Sequence, residues 1–183
     1  MMELDKKLIR SHIKDLKATY SSDALFGASV MINQKLFEHD AYKDAKIVGM
    51  YVSKETEVDT IQFIEQTLKK KRVAVPKVEG DIMNFYRIKS LSDLTIGSFD
   101  VFEPTTPYIT KAKKMSVMVV PLVAFNRKKY RVGYGKGFYD KYLKDFQGTT
   151  IGLAFSFQEV DEDFEDEYDI PLDYIITEKE IIK

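Results

Sequence analysis

The sequence predicts an α/β fold: a single three-layer α/β/α domain over residues 1–183, with a mostly parallel central sheet and helices on both faces. Three observations predict it. Short, β-branched apolar runs alternate along the chain with longer segments of helical periodicity, the pattern of a sheet wound with crossover helices. A chain of 183 residues suits one domain, burying roughly 70% of its unfolded surface. No internal repeat, low-complexity tract or linker-like segment divides it.

In residues 3–20, Ile9, Ile13, Leu16 and Tyr20 recur at helical spacing, while Lys6, Arg10, Lys14 and Lys17 form a basic stripe. Ser22 and Asp23 are candidate N-caps for a second helix reaching about His39. Residues 46–52 (KIVGMYV) read as a buried strand. Residues 57–70 read as a helix through Val58, Ile61, Ile64 and Leu68, with cations at its negative pole. Residues 72–78 and 82–88 read as strands joined by a turn at 79–81. Residues 91–110 are mixed, with Pro104 and Pro107 favouring loop. A strand is expected over 114–120, a loop to about 135, a helix to Phe146, and strands over 149–155 and 172–177. Ligands of such sheets bind beyond the carboxyl ends of the strands, where the loop after 114–120 lies.

Composition narrows the chemistry. Without cysteine, disulfide frameworks, thiolate zinc sites and a cysteine nucleophile are excluded. The first ten residues carry no apolar stretch, and residues 115–125 are too short to span a bilayer, so a cytoplasmic protein without a membrane partner is expected. A net charge of −1 argues against nucleic acid as partner. Charge is nonetheless uneven: Arg127, Lys128, Lys129 and Arg131 flank a glycine-rich segment, and residues 159–169 are mostly acidic. The two histidines, His12 and His39, read as surface residues of the N-terminal helices.

That segment, residues 131–140, reads RVGYGKGFYD. Gly133, Gly135 and Gly137 let a ligand approach the main chain, the amides that follow can form an anion nest, and Lys136 and Arg131 add phosphate-binding charge. The P-loop spacing fails because Lys136 is followed by Gly137, and the dinucleotide fingerprint fails at Phe138. Spacing alone leaves an anion loop and a structural strand-to-helix turn equally open. Phe138, Tyr142 and Phe146 fall on one helix stripe and read as core. Tyr134 suits either packing or stacking on a flat ring. Asp140 suits either a helix-start carboxylate or a magnesium ligand.

The stretch VPLVAFNRKKYRVGYGKGFYDKYL, residues 120–143, resembles the 5-formyltetrahydrofolate cyclo-ligase (methenyltetrahydrofolate synthetase) family. The likeness extends along the chain through Lys6 and Arg10 in the first helix, residues 57–60 (EVDT), and the Asp169/Asp173 pair. The resemblance implies ATP contacts from Lys6, Arg10, Arg131, Val132, Gly133, Tyr134, Gly135, Lys136, Gly137, Phe138 and Tyr139. It implies folate contacts from Val52, Glu57, Tyr134, Gly135, Lys136, Gly137 and Phe138, and Mg2+ on Asp140 and Asp169. Read from residues alone, Lys6 and Arg10 also suit a solvated stripe, and Glu57 a helix-start carboxylate. Lys136, Arg131 and Tyr134 are the expected catalytic residues.

The implied reaction converts 5-formyltetrahydrofolate and ATP into 5,10-methenyltetrahydrofolate, ADP and phosphate, through attack of the formyl oxygen on the γ-phosphorus and ring closure by N10. A monomer acting on small molecules is expected. Asn126 stands for the family's usual Asp, Lys129 for a frequent Gly, Val132 for Leu and Phe138 for Tyr. A non-catalytic folate or nucleotide binder, and an ATP-dependent or sugar-phosphate enzyme with another substrate, are the rival readings. A further expectation places the glutamate tail of a folate on the basic residues 127–129.

Overall fold

A computed structural model describes residues 2–97 and 100–183, with side chains from residue 5 onward; positions 98 and 99 of the mixed stretch lie outside the described residues. Among the described residues, five α-helices and twelve strands follow in the order α1 (Met2–Lys17), α2 (Ser22–Glu38), α3 (Asp40–Asp44), β1 (Ile47–Met50), α4 (Ile61–Leu68), β2 (Arg72–Glu79), β3 (Ile82–Ile88), β4 (Leu94–Ile96), β5 (Phe102–Pro104), β6 (Ile109–Thr110), β7 (Val117–Val120), β8 (Ala124–Phe125), β9 (Arg131–Val132), α5 (Phe138–Leu143), β10 (Thr149–Leu153), β11 (Tyr174–Ile176) and β12 (Ile181–Ile182).

Eight strands form the main sheet in the order β12-β11-β10-β7-β1-β2-β3-β6. Its centre, β11 through β2, is parallel, and β12, β3 and β6 add antiparallel edges. β7 lies at that centre and is buried at every position, as a strand covered on both faces must be. Its alternation sorts the core: Val117 and Val119 face one layer with Ile32, Leu36, Phe63 and Ile64 of α2 and α4, while Met118 and Val120 face the other with Leu143 of α5. Helices therefore cover both faces. Phe138, Tyr142 and Phe146 pack on the second layer, as their spacing predicts. Pro76 sits inside β2 without breaking the ladder because β1 pairs with β2 only as far as Ala74, so Pro76 has a neighbour on one side alone.

α1 stands apart from these layers. Its Ile9 and Ile13 pack with Ala124 and Val132 of the β8–β9 hairpin and with Val160 and Phe164. The basic stripe, for which solvation is one of two readings, is partly buried as a result: Lys6 is only 7% exposed.

Several boundaries differ from expectation for identifiable reasons. Ser21, not Ser22 or Asp23, caps α2, accepting from the Ala24 amide at 3.1 Å. α4 starts at Ile61 because Asp59 Oδ1 accepts from the Ile61 amide and Thr60 Oγ1 is tied back to the Tyr51 carbonyl. The strand expected from 114 begins at Val117, since residues 112–114 form a 3-10 turn. His39 is half-buried, capping α3 through Nδ1 and packing edge-on against Tyr174.

Candidate active site

The carboxyl ends of β1, β7 and β10 open toward a group of loops bridged by α1. The first is the turn after β1. Here Ser53 and Thr60 exchange side chain-to-amide bonds, Asp59 accepts from Ser53 Oγ and the Ile61 amide, and Glu57 is left pointing across the sheet. Glu57 Oε1 accepts from the Lys54 amide at 2.7 Å, and Oε2 accepts from the Tyr134 hydroxyl at 2.8 Å. Burial pushes the Glu57 carboxyl above the usual range, opposed by those two bonds and by the cations of Lys54 and Lys17.

The second is the glycine segment, entered from the short β8–β9 hairpin. Arg131 is buried, donates from Nε to the Pro121 carbonyl at 3.0 Å, and lies under the Tyr139 ring at 5.3 Å. Burial lowers its basicity and Asp140, 3.8 Å away, opposes that effect; a guanidinium stays charged. A side chain at Gly133 would come within 2.6 Å of the Arg131 guanidinium, so glycine there is what lets this cation press against the loop backbone. Gly135 and Gly137 hold φ of 98° and 72°, left-handed turns that aim the chain into α5. Tyr134 lies beneath the Lys54 ammonium, 4.5 Å from its ring centre, and Lys136 is exposed beside it. Burial raises both Tyr134 and Tyr139 far above the ordinary phenol, so each serves as a neutral hydroxyl.

The third is the C-terminal loop. Lys6 Nζ is 2.7 Å from Asp169 Oδ2 and 3.3 Å from Asp166 Oδ2. Burial alone would lower the Lys6 pKa, but these carboxylates reverse the balance and raise it. Asp140 accepts from the Ile170 amide at 3.4 Å, tying α5 to this loop. Burial and Asp169 raise its carboxyl, with Arg131 opposing. α1 thus reaches all three loops, since Arg10 Nε donates to the Gly133 carbonyl at 2.7 Å and Lys17 Nζ to the Thr56 carbonyl at 2.5 Å.

The structure brings together Lys6, Arg10, Glu57, Arg131, Tyr134, Lys136, Asp140 and Asp169 around these loops. Val52 and Val132 keep their side chains in the core, Val132 packing beneath α1, so any ligand contact from them would come from the main chain. Among the described residues no group of three or more His, Asp or Glu is arranged to hold a metal. Asp140 and Asp169 supply two carboxylates, each beside a cation. Asp173, matched with Asp169 in sequence, braces β11 instead, accepting from the Thr150 amide at 2.8 Å.

The basic cluster at 127–129 is a correction. Arg127 pairs with Glu159 and Glu180, and Lys128 with Asp163 and Glu165, so this cluster and the acidic run largely neutralise each other. Two substitutions noted from sequence are accommodated in place. Lys129 keeps a left-handed φ of 69°. Asn126 accepts from the Lys128 and Tyr130 amides while its Nδ2 donates to Glu165. Nothing in the sequence joins Lys17 to the turn after β1, beyond its place on the same stripe as Lys6 and Arg10. Concavities lined by Lys46, Leu68 and Lys114, and by Met115, Gly148 and Lys183, open at the opposite, amino ends of the strands.

A parallel-sheet α/β protein with a cation-backed glycine loop at the strand carboxyl ends defines a class of small-molecule enzymes that handle anionic ligands. The profile of the 5-formyltetrahydrofolate cyclo-ligase family matches residues 2–178, and the chain belongs to that family. It is 30% identical over 181 residues to the 5-formyltetrahydrofolate cyclo-ligase of Mycoplasma pneumoniae, covering 96% of this chain and 100% of that protein. The 5,10-methenyltetrahydrofolate synthetase of Aquifex aeolicus superposes with a TM-score of 0.88 at 32% identity, covering 97% of this chain and 92% of the other. The Mycoplasma pneumoniae synthetase structure superposes with 0.78 at 29% identity, covering 95% and 99%.

Proposed function

We propose that this chain converts 5-formyltetrahydrofolate and ATP into 5,10-methenyltetrahydrofolate, ADP and phosphate. Family membership supports the folate reaction. The observation that carries the ATP reading is the cationic floor of the glycine loop, where Arg131 is pressed against the backbone at Gly133, Arg10 binds the Gly133 carbonyl, and Lys136 stands at the crest.

Residues 131–139 with Lys6 and Arg10 take the nucleotide side of the site. Glu57, Tyr134 and residues 135–138 take the folate side, with Val52 forming wall rather than contact. The formyl oxygen attacks the γ-phosphorus and ADP leaves; N10 then attacks the activated carbon, the carbon–oxygen bond breaks, and phosphate departs as N10 loses its proton. These steps ask the protein for alignment and charge balance rather than a nucleophile of its own. Arg131 and Lys136 offset charge on the transferring group, and Tyr134, held by Glu57, fixes the loop relative to the folate side.

Asp140 and Asp169 are the residues that would hold a magnesium ion, and as two carboxylates they would do so only together with the nucleotide's phosphates. When bound there it would neutralise phosphate charge. Mixing the protein with 5-formyltetrahydrofolate and MgATP tests the reading: methenyl absorbance should rise with one ADP released per product. Nucleotide binding without product would overturn it in favour of a non-catalytic binder, and ADP release driven by another small substrate would favour a different ligase.

A further inference from the structure

Of the four cations on the α1 stripe, three bond across to the site loops, Lys6, Arg10 and Lys17, the last lying eleven residues beyond the first, about three helical turns. Lys6 and Arg10 already have places in the site. Lys17 has none, yet its Nζ donates to the Thr56 carbonyl at 2.5 Å and lies 5.9 Å from the centre of the Phe155 ring. Thr56 immediately precedes Glu57 in the turn after β1. We infer that Lys17 is a positioning residue for the folate side of the site: it seats the 54–57 turn so that Glu57 meets Tyr134, and it adds a second cation, beside that of Lys54, to the surroundings of Glu57. This inference rests on the proposed folate reaction.

The geometry separates this role from simple helix docking. Lys17 is the last residue of α1, where a cation already faces the helix's negative end, but its bond goes to another loop and not to its own last turn. Its ammonium lies over the Phe155 ring, which itself stacks on Phe157 with ring centres 5.5 Å apart. Burial lowers the Lys17 pKa and Glu57 opposes it. The groups facing Glu57 come from every surrounding element: Lys54 from its own turn, Lys17 from α1, Tyr134 from the glycine loop, Tyr51 after β1 and Tyr139 of α5. The tyrosines are neutral, so the pull toward the ionised form comes from cations, Lys54 and Lys17 among them. Lys54 also covers the Tyr134 ring and moves with the turn, whereas Lys17 is anchored on a helix.

The test is a pH series of kcat/KM for 5-formyltetrahydrofolate with Lys17→Met and Lys17→Arg. Lys17→Met should lose roughly tenfold in kcat/KM near pH 6 and about threefold or less near pH 8, because Glu57 then binds its proton more readily. Lys17→Arg should restore most of the loss, and MgATP affinity measured by calorimetry should stay within about twofold in both. A second readout needs no turnover: carboxyl NMR of 13C-labelled glutamate, assigned with Glu57→Gln, should show Glu57 titrating at higher pH in Lys17→Met. A uniform loss at all pH values with an unmoved Glu57 titration would overturn the inference. An inactive wild type with a shifted Glu57 titration would instead overturn the folate reaction and leave the Lys17–Glu57 linkage standing.

Discussion

Lys6 Nζ and Asp169 Oδ2 lie 2.7 Å apart, joining the first helix to the C-terminal loop across 163 residues of chain. Both side chains are over nine-tenths buried, so each charge depends on its ion-pair partners rather than on water for compensation.

Lys6→Met should therefore cost about 3 kcal/mol of stability and remove most MgATP affinity. The sign of its pH dependence follows from both partners. Lys6 is raised above 10.5, so its contribution is complete below that pH and is lost as pH rises through the folded value. Asp166 is held below 3.8, so its contribution is present above that pH and is lost on acidification through the folded value. Urea unfolding across pH should find the gap between wild type and Lys6→Met widest at neutral pH and closing at both extremes.

Glu57 carries the opposite sign. Its carboxyl is raised above 4.5 by burial, so the ionised residue destabilises the fold as pH climbs through that value. Glu57→Gln keeps one acceptor oxygen, for the Lys54 amide, and turns its amide nitrogen to the Tyr134 hydroxyl, which can accept from it. It should unfold at higher temperature than wild type at pH 7, match it below about pH 4, and lose most turnover. Scanning calorimetry beside the methenyl assay would check both halves.

Lys136→Ala should lower turnover about a hundredfold with the fold intact, since an exposed side chain supports little packing and its charge is asked to act on the transferring group. Near-normal turnover with an unchanged circular dichroism spectrum would remove Lys136 from the chemistry.

Lys129→Gly should stabilise the protein by about 0.5–1 kcal/mol, because glycine relieves the Cβ of a left-handed residue and gives back part of that gain as unfolded-chain entropy. The position's backbone bonds, to Asn126 and from Leu172, would be kept. A lower urea midpoint would contradict this.

Asn126→Asp should cost about 1–2 kcal/mol at neutral pH, since a carboxylate cannot donate to Glu165 and would face it across 3.0 Å. The loss should shrink in an added Glu165→Gln background, which a double-mutant cycle would read out.

The layered sheet was legible because its signals are local. β7 shows as an apolar run, and α5 as the Phe138–Tyr142–Phe146 stripe. Two-residue strands such as β6 and β12 carry no periodicity to read and exist only because a neighbouring edge pairs with them. In the site, glycine spacing exposed the loop, but Arg131 against Gly133 is a contact of three dimensions. Lys6 and Arg10 looked like solvated charge because Asp169 and Gly133 stand far along the chain; their place in the site came from the resemblance. The pairing of Arg127 and Lys128 with the acidic run was missed for the same reason: two opposite charge runs each look solvated until folding sets them face to face.

The position of α1 has a consequence for how the protein is made. α1 is synthesised well before the residues it bonds to, Gly133 and Asp169, which lie 123 and 163 residues further along the chain than Arg10 and Lys6. Until they emerge, Ile9 and Ile13 lack the β8–β9 hairpin and Phe164 that bury them. Closing so long a loop is entropically slow relative to neighbouring β–α contacts. The nucleotide side should therefore be assembled last, after the sheet, and a nascent chain stalled before Phe164 should expose α1 to protease while β1 and β2 are already protected.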